Sequence, residues 1–335
     1  MRAALSSPKI GSGFPGRCHL SAHRRSRGVA ATDHCHPRAQ LRPGRRDIPK
    51  PGKPTGALGL VVALLFYCGQ VPAADGIRVH CRGQGPPLYL IGGGPAFTTW
   101  NLQPIQDRLG DGYRVCRWDM RGVGDNAGFP VKPAVSALAQ WLDDMREVLP
   151  RAPVTLWGHS WGALQVLLFA RKYPERVFRL ILSNPVDPGL RSLEHIEQKR
   201  FVHPENHARL ALEDMGTPAE DLHNLRSKVA SYFVDADQGW AYAAGFTRAD
   251  ANNRLNVRIW DDYRQTPLAD ADVRQLADKI RGIVYCRDDV LQPESLTEYR
   301  RLLAGEKHHV LTGCAHFPWE ENPEAYYAVL RRLLE

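Results

Sequence analysis

Short apolar runs that end in glycine-rich turns recur through residues 76–335, separated by stretches with helical spacing. Leu88 to Ile91, Val154 to Trp157, Val177 to Leu182 and Ile283 to Cys286 are each mostly apolar on both faces. Such runs, bounded by turn residues, read as strands buried on both sides. Ile77 to Cys81 alternates like a strand, and Tyr113 to Trp118 and His308 to Leu311 complete the set. Leu138, Trp141, Leu142, Met145 and Leu149 follow i, i+3, i+4, i+7 spacing, which predicts an amphipathic helix over Ser136 to Leu149 with those side chains in the core. Further helices are expected from Trp161, over Pro293 to Ala304, and from Pro323, a residue suited to a helix start. Strands alternating with helices argue for a mostly parallel sheet covered by helices on both faces.

The alternation breaks after Asn184-Pro185. Residues 187–275 are charged and mainly helical in pattern, and the strand pattern resumes at Ile283. The expected organisation is an α/β core in two pieces, 74–186 and 276–335, with a helical cap inserted at 187–275. Trp240, Tyr242 and Phe246 in that insertion admit two readings, pocket wall or ordinary packing, and an aromatic stripe on a helix more often packs.

Charge changes the picture at one end only. Residues 1–56 hold 12 Lys and Arg against 2 Asp and Glu; of the chain's 44 basic and 36 acidic residues, that leaves 32 against 34 for the rest. The net +8 therefore belongs to an extension rich in Arg, Pro, Gly and Ser, which is expected to be disordered, and a nucleic-acid partner is disfavoured for the remainder. Cys18, His34, Cys35 and His36 fit no zinc spacing, so no metal is expected. Ala57 to Cys68 is apolar but too short to span a bilayer. Following Lys50 and Lys53 and leading to Val71-Pro72-Ala73, the segment 57–73 suits a signal peptide cleaved before Ala74. Its distance from residue 1 is unusual. A start placed too far upstream, followed by export to the periplasm or secretion, accounts for it; an internal anchor is the other reading. No stable membrane partner is expected after cleavage.

The chemistry centres on Gly158-His159-Ser160-Trp161-Gly162. A strand leads in and an apolar helix-forming run leaves, the context in which G-x-S-x-G lifts a serine hydroxyl above a sheet edge. The Trp161 N–H then points where an oxyanion would form. Gly92-Gly93-Gly94-Pro95 directly follows a strand and is expected to supply the second N–H, from Gly94 or, failing that, Gly93. Asp119 and Arg121 are expected to tie the next loop beneath that turn through charge-assisted hydrogen bonds. A neutral serine needs a base, and the base an acid to fix its tautomer. His316 lies in a Gly-containing loop after the last strand, and Asp288 and Asp289 follow the strand before it. Spacing alone does not choose between the two aspartates. The order Ser, Asp, His is that of α/β-hydrolases.

Over residues 76–335 the chain resembles the α/β-hydrolase superfamily and, within it, the proline iminopeptidase-like group. The matching stretches are Gly93-Gly94-Pro95, Asp119-Met120-Arg121-Gly122, Ser160-Trp161-Gly162, Tyr173 to Val177, Arg287-Asp288-Asp289 and Gly313 to Trp319. The resemblance implies an α/β-hydrolase fold and a Ser160–His316–Asp289 triad, with Gly94 and Trp161 as oxyanion donors. It places the acid at Asp289, because Arg287 matches the arginine of that group's Gly-Arg-x-Asp. The chain departs from the group at Gly92 (histidine there), Ala96 (glycine there) and Met120 (glutamine there). It also lacks the Trp-x-x-Trp-Glu whose glutamate grips a substrate amino terminus, and nothing singles out Glu205, Glu213 or Glu220 as a substitute.

The expected activity is cofactor-independent cleavage of an ester or amide in a small molecule or short peptide, through an acyl-enzyme, with aminopeptidase action as one form of it. The reading from another class is a ligand receptor or pseudoenzyme that keeps the triad with slow or no turnover. Serine at the elbow argues against chemistry that attacks through a carboxylate. After cleavage before Ala74 four cysteines remain, and export would allow Cys286–Cys314 to clip the acid and base loops together, with Cys81–Cys116 as the second pair.

Overall fold

A computed structural model describes residues 76–194, 196, 199 and 218–335. The basic extension and the signal-like segment therefore lie outside the described residues, as do Glu205, Glu213 and the side chain of Glu220. Seven strands form one sheet: β1 (His80–Arg82), β2 (Pro87–Ile91), β3 (Arg114–Arg117), β4 (Val154–His159), β5 (Val177–Ser183), β6 (Ile280–Cys286) and β7 (His308–Leu311). Their order is β1-β3-β2-β4-β5-β6-β7, with β1 antiparallel to β3 and every other pair parallel. The strands match the apolar runs except at the start, where β1 covers His80–Arg82 and not the expected Ile77 to Cys81, and β6 begins three residues before the expected Ile283, at Ile280.

Period-two alternation decides what each face of the sheet buries. Tyr89, Ile91, Leu156, Leu182 and Ile283 point into one core, closed by α2 (Ala137–Val148) and α3 (Trp161–Lys172) and by Tyr299 and Leu302 of α9 (Glu294–Leu302). Leu88, Leu90, Trp157, Ile181 and Val284 point into the other, closed by α1 (Gln103–Leu109) and the final helix α11 (Pro323–Leu334). The apolar pattern did not announce α1, whose sequence QPIQDRL carries only two large apolar residues, Ile105 and Leu109, and both are buried. Between β5 and β6 the chain leaves the sheet for α4 (Arg191–Glu194), α5 (Pro218–Ala230), α6 (Ala236–Ala243), α7 (Asn253–Gln265) and α8 (Asp270–Gln275), and α10 (Pro318–Glu321) follows β7. Among the described residues no helix is long and apolar enough to cross a membrane.

Two disulfides join the strands, Cys81–Cys116 across β1 and β3, and Cys286–Cys314 between the end of β6 and the loop after β7. Both are the pairs anticipated from sequence.

Candidate active site

The turn from β4 to α3 is tight, with Ser160 alone between the last residue of the strand and the first of the helix. Ser160 sits at φ 55°, ψ −121°, a left-handed conformation that a non-glycine residue adopts at a cost of about 1–3 kcal/mol. Its backbone is held on both sides: Ser160 N–H donates to the Ser183 carbonyl at 3.1 Å, and Val186 N–H donates to the Ser160 carbonyl at 3.3 Å. The flanking glycines make the close approach possible. A Cβ at Gly158 would lie 2.5 Å from the Gly162 carbonyl oxygen, and one at Gly162 would lie 2.2 Å from that of Ile91. Trp161 is the first residue of α3, where an N–H has no partner within the helix.

The chain returns to this elbow twice. After β6, Asp289 is buried (3% exposed) and accepts the Leu291 N–H at 3.1 Å, whereas Asp288 is exposed. After β7, His316 is also 3% exposed, and its Nδ1 lies 3.0 Å from both carboxylate oxygens of Asp289. A carboxylate only accepts, so Nδ1 carries the proton and Nε2 keeps its lone pair in the neutral ring. Disulfide Cys286–Cys314 and the Asp288 N–H to Cys314 carbonyl bond at 3.3 Å staple the two loops together. Asn184 adds a third tie, donating through Nδ2 to the Ala315 carbonyl at 2.7 Å and accepting the Cys286 N–H at 2.7 Å. Ser160, 8% exposed, borders the same two cavities as His316, and among the described residues its hydroxyl makes no hydrogen bond.

Two aromatic rings flank the His316 imidazole. Tyr232, just after α5, stacks on it at 4.4 Å between centroids, and the Tyr232 carbonyl accepts the His316 N–H at 2.9 Å. On another side His159 lies 4.5 Å away, and its Nε2 is 2.8 Å from the His316 carbonyl. That carbonyl requires a proton on His159 Nε2, while full burial, reinforced by the His316 ring, holds the His159 pKa well below the ordinary value near 6.5. His159 is thus a neutral strut between the elbow and the loop after β7. Its depressed pKa has a sign: the unfolded chain takes up a proton below about 6.5 that the folded chain refuses, so this stability is full above that pH and is lost as pH falls. In urea titrations between pH 7 and pH 5, His159→Gln is expected to flatten the decline by up to about 1.4 kcal/mol per pH unit. Parallel declines in the two proteins would contradict it.

The loop after β2 brings Gly94 to the rim of both cavities, and Gly93 to within reach of the serine, since a Cβ there would lie 3.5 Å from Ser160 Oγ. Gly94 has φ 119°, and Ala96, where the resembling group has glycine, keeps a left-handed φ of 65°. Beneath the loop Asp119 accepts Thr99 N–H at 2.6 Å, Thr99 Oγ1–H at 2.8 Å and Asp125 N–H at 3.0 Å, the tie expected of it. Arg121 instead reaches α2, pairing with Asp144 through two bonds. From above, the insertion grips the same loop. Thr98 N–H donates to the Asp250 carbonyl at 3.0 Å, Asn252 N–H to Ala96 at 3.0 Å, and Asn256 Nδ2 to Pro95 at 2.7 Å. The buried Asp250 carboxylate accepts Thr98 Oγ1–H, Trp100 Nε1–H, and both the N–H and hydroxyl of Thr247. Sequence reading missed Asp250, Tyr232 and Asn184, since the partners that tie them to the site lie far along the chain.

The described residues include no group of three or more His, Cys, Asp or Glu able to hold a metal ion, and Cys18, His34, Cys35 and His36 lie outside them. A family model described as alpha/beta hydrolase fold matches residues 86–323. A proline iminopeptidase of Lactobacillus helveticus is 23% identical over 270 residues, 76% of this chain and 91% of the relative. A 2-hydroxy-6-oxo-2,4-heptadienoate hydrolase of Pseudomonas putida is 27% identical over 277 residues, 79% and 96% of the two chains. Among solved structures, a thermophilic esterase from Thermogutta terrifontis superposes with a TM-score of 0.58 at 20% identity, covering 79% of this chain and 97% of its own.

Proposed function

The chain belongs to the α/β-hydrolase family, and from that footing we propose that it is a serine hydrolase cleaving an ester or amide bond through an acyl-enzyme. The observation that carries the reading is the bond from His316 Nδ1 to the buried Asp289, facing a serine held in a strained turn at the edge of the same cavities. Ser160 Oγ attacks the carbonyl carbon while His316 Nε2 takes its proton, and Asp289 stabilises the imidazolium. The N–H groups of Gly94 and Trp161 receive the oxyanion. His316 then protonates the leaving group, and water releases the acid in the second half-reaction. The helices between β5 and β6 act as a cap over this site. Aminopeptidase action finds support in the names of the relatives. The two disulfides support export to an oxidising compartment, periplasmic or extracellular.

Labelling by a fluorophosphonate, lost in Ser160→Ala, joined to steady turnover of p-nitrophenyl esters or aminoacyl-naphthylamides, tests the proposal. Labelling without multiple turnover would favour a receptor. Asp250 offers a separate check on the oxyanion loop. Asp250→Ala strands the four donors around it, and is expected to cost about 2–3 kcal/mol of stability. It should also lower kcat by about 10- to 100-fold through misplacement of the Gly94 N–H, with KM changing less. Denaturant melts and steady-state kinetics on one preparation check both; an unchanged kcat would detach the insertion from catalysis.

A further inference from the structure

We propose that the acyl group transferred to Ser160 is small, about the size of an acetyl, and that the leaving group is the larger partner. This rests on the serine-hydrolase reading and adds the substrate class. Two cavities of unequal size meet at Ser160 and His316. The smaller has a volume of about 30 Å³ and is walled by Phe97, Val229, Phe246 and Phe317 together with the polar Thr98 and Asn101. That is the room of one or two non-hydrogen atoms. Its walls are braced from behind, because Phe246 packs on Trp100 at 4.8 Å and Phe317 on Phe233 at 5.3 Å between ring centroids. Close-packed rings of this kind do not swing aside for a longer chain without loss of packing. The larger cavity has about 360 Å³ and is lined by the apolar Leu193, Ile196 and Trp260 as well as by Lys228, Arg264 and Asp221. Among the described residues Lys228 Nζ has no acidic partner.

The two half-reactions assign the lobes. In the first, the Ser160 Oγ–carbon bond forms, the carbon–leaving-group bond breaks, and the serine proton passes through His316 to the departing oxygen or nitrogen. In the second, water enters the place just vacated, gives one proton to His316, and its oxygen bonds to the acyl carbon. The Oγ–carbon bond then breaks, and His316 returns the proton to Ser160. The acyl group stays put through both steps, whereas the other position must empty and then admit water. A lobe with room for one or two atoms suits the group that stays. The wide lobe suits the group that departs and the water that replaces it.

The test is a chain-length series of p-nitrophenyl esters from acetate to octanoate, with L-prolyl-p-nitroanilide and a pair of aliphatic esters, glyceryl acetate and methyl octanoate. On the wild-type protein kcat/KM is expected to fall about 100-fold or more between acetate and hexanoate, and glyceryl acetate to outpace methyl octanoate. Phe246→Ala enlarges the small lobe and should raise the hexanoate-to-acetate ratio about tenfold or more. Val229→Ala, a milder cut in the same wall, makes the same comparison if Phe246→Ala does not fold. A flat or rising series, a prolyl substrate preferred to acetate, or methyl octanoate preferred to glyceryl acetate would each overturn the inference while fluorophosphonate labelling of Ser160 left the hydrolase reading standing. Absence of labelling together with absence of turnover on every ester would sink both.

Discussion

Replacement of Ser160 by alanine is expected to lower kcat on the order of 10⁴- to 10⁶-fold, with the protein still folded. The size follows from what the hydroxyl alone supplies. On the proposed mechanism no covalent intermediate forms without it, and the remaining N–H groups and pocket can only assist direct attack by water. The fold is expected to persist because the elbow depends on backbone bonds from Ser160 to Ser183 and Val186 and on the two flanking glycines, none of which involves the side chain. Alanine keeps the Cβ, so the left-handed strain at φ 55° is unchanged. Steady-state kinetics against the best ester of the panel, with circular dichroism to confirm folding, would check it. A loss of less than about tenfold would remove Ser160 from the nucleophile's role.

Asp289→Asn is expected to cost about 10⁴-fold in kcat, while Asp288→Asn stays within about twofold of wild type. Both residues follow β6, yet only one is buried against the imidazole, with 3.0 Å from each oxygen to His316 Nδ1. An amide at 289 would present either an N–H or a weaker oxygen to that nitrogen. The N–H would force the proton onto Nε2, and the base would then have no lone pair for the serine. The neighbouring exposed Asp288 takes part through its backbone N–H alone, which Asn retains. Kinetics of the two variants on one substrate decide the matter, and equal losses or a reversed order would put the acid elsewhere.

Much of this was legible in the chain because it is carried by short-range signals. The apolar runs of β2, β4, β5 and β6 are buried on both faces and announce themselves, as do the glycines around Ser160. Asp289 was harder. Spacing left it level with Asp288; the resemblance favoured Asp289, and burial and the bond to His316 separate the two. Asp250, Tyr232 and Asn184 were not legible at all. Each acts on a partner far along the chain, Asp250 on Thr98 and Trp100, Tyr232 on His316, Asn184 on Ala315, and no local pattern marks a residue for a tertiary hydrogen bond. His159 sits inside the serine motif, yet its role as a strut shows only in its burial and its bond to the His316 carbonyl. Helix α1 escaped notice because only two of its large side chains need burial, too few to leave a period.

The segment between β5 and β6 holds the loop after β2 through Asp250, Asn252 and Asn256, and the loop after β7 through Tyr232. It is therefore no interchangeable module. A chimera carrying a homologue's insertion on this chain's sheet would arrive with the wrong donors for both loops, and would lose rate on every substrate instead of acquiring a new preference. Variation in what such a scaffold accepts is then confined to side chains that border the cavities without anchoring either loop, which makes Val229 and Lys228 better starting points for redesign than any wholesale exchange.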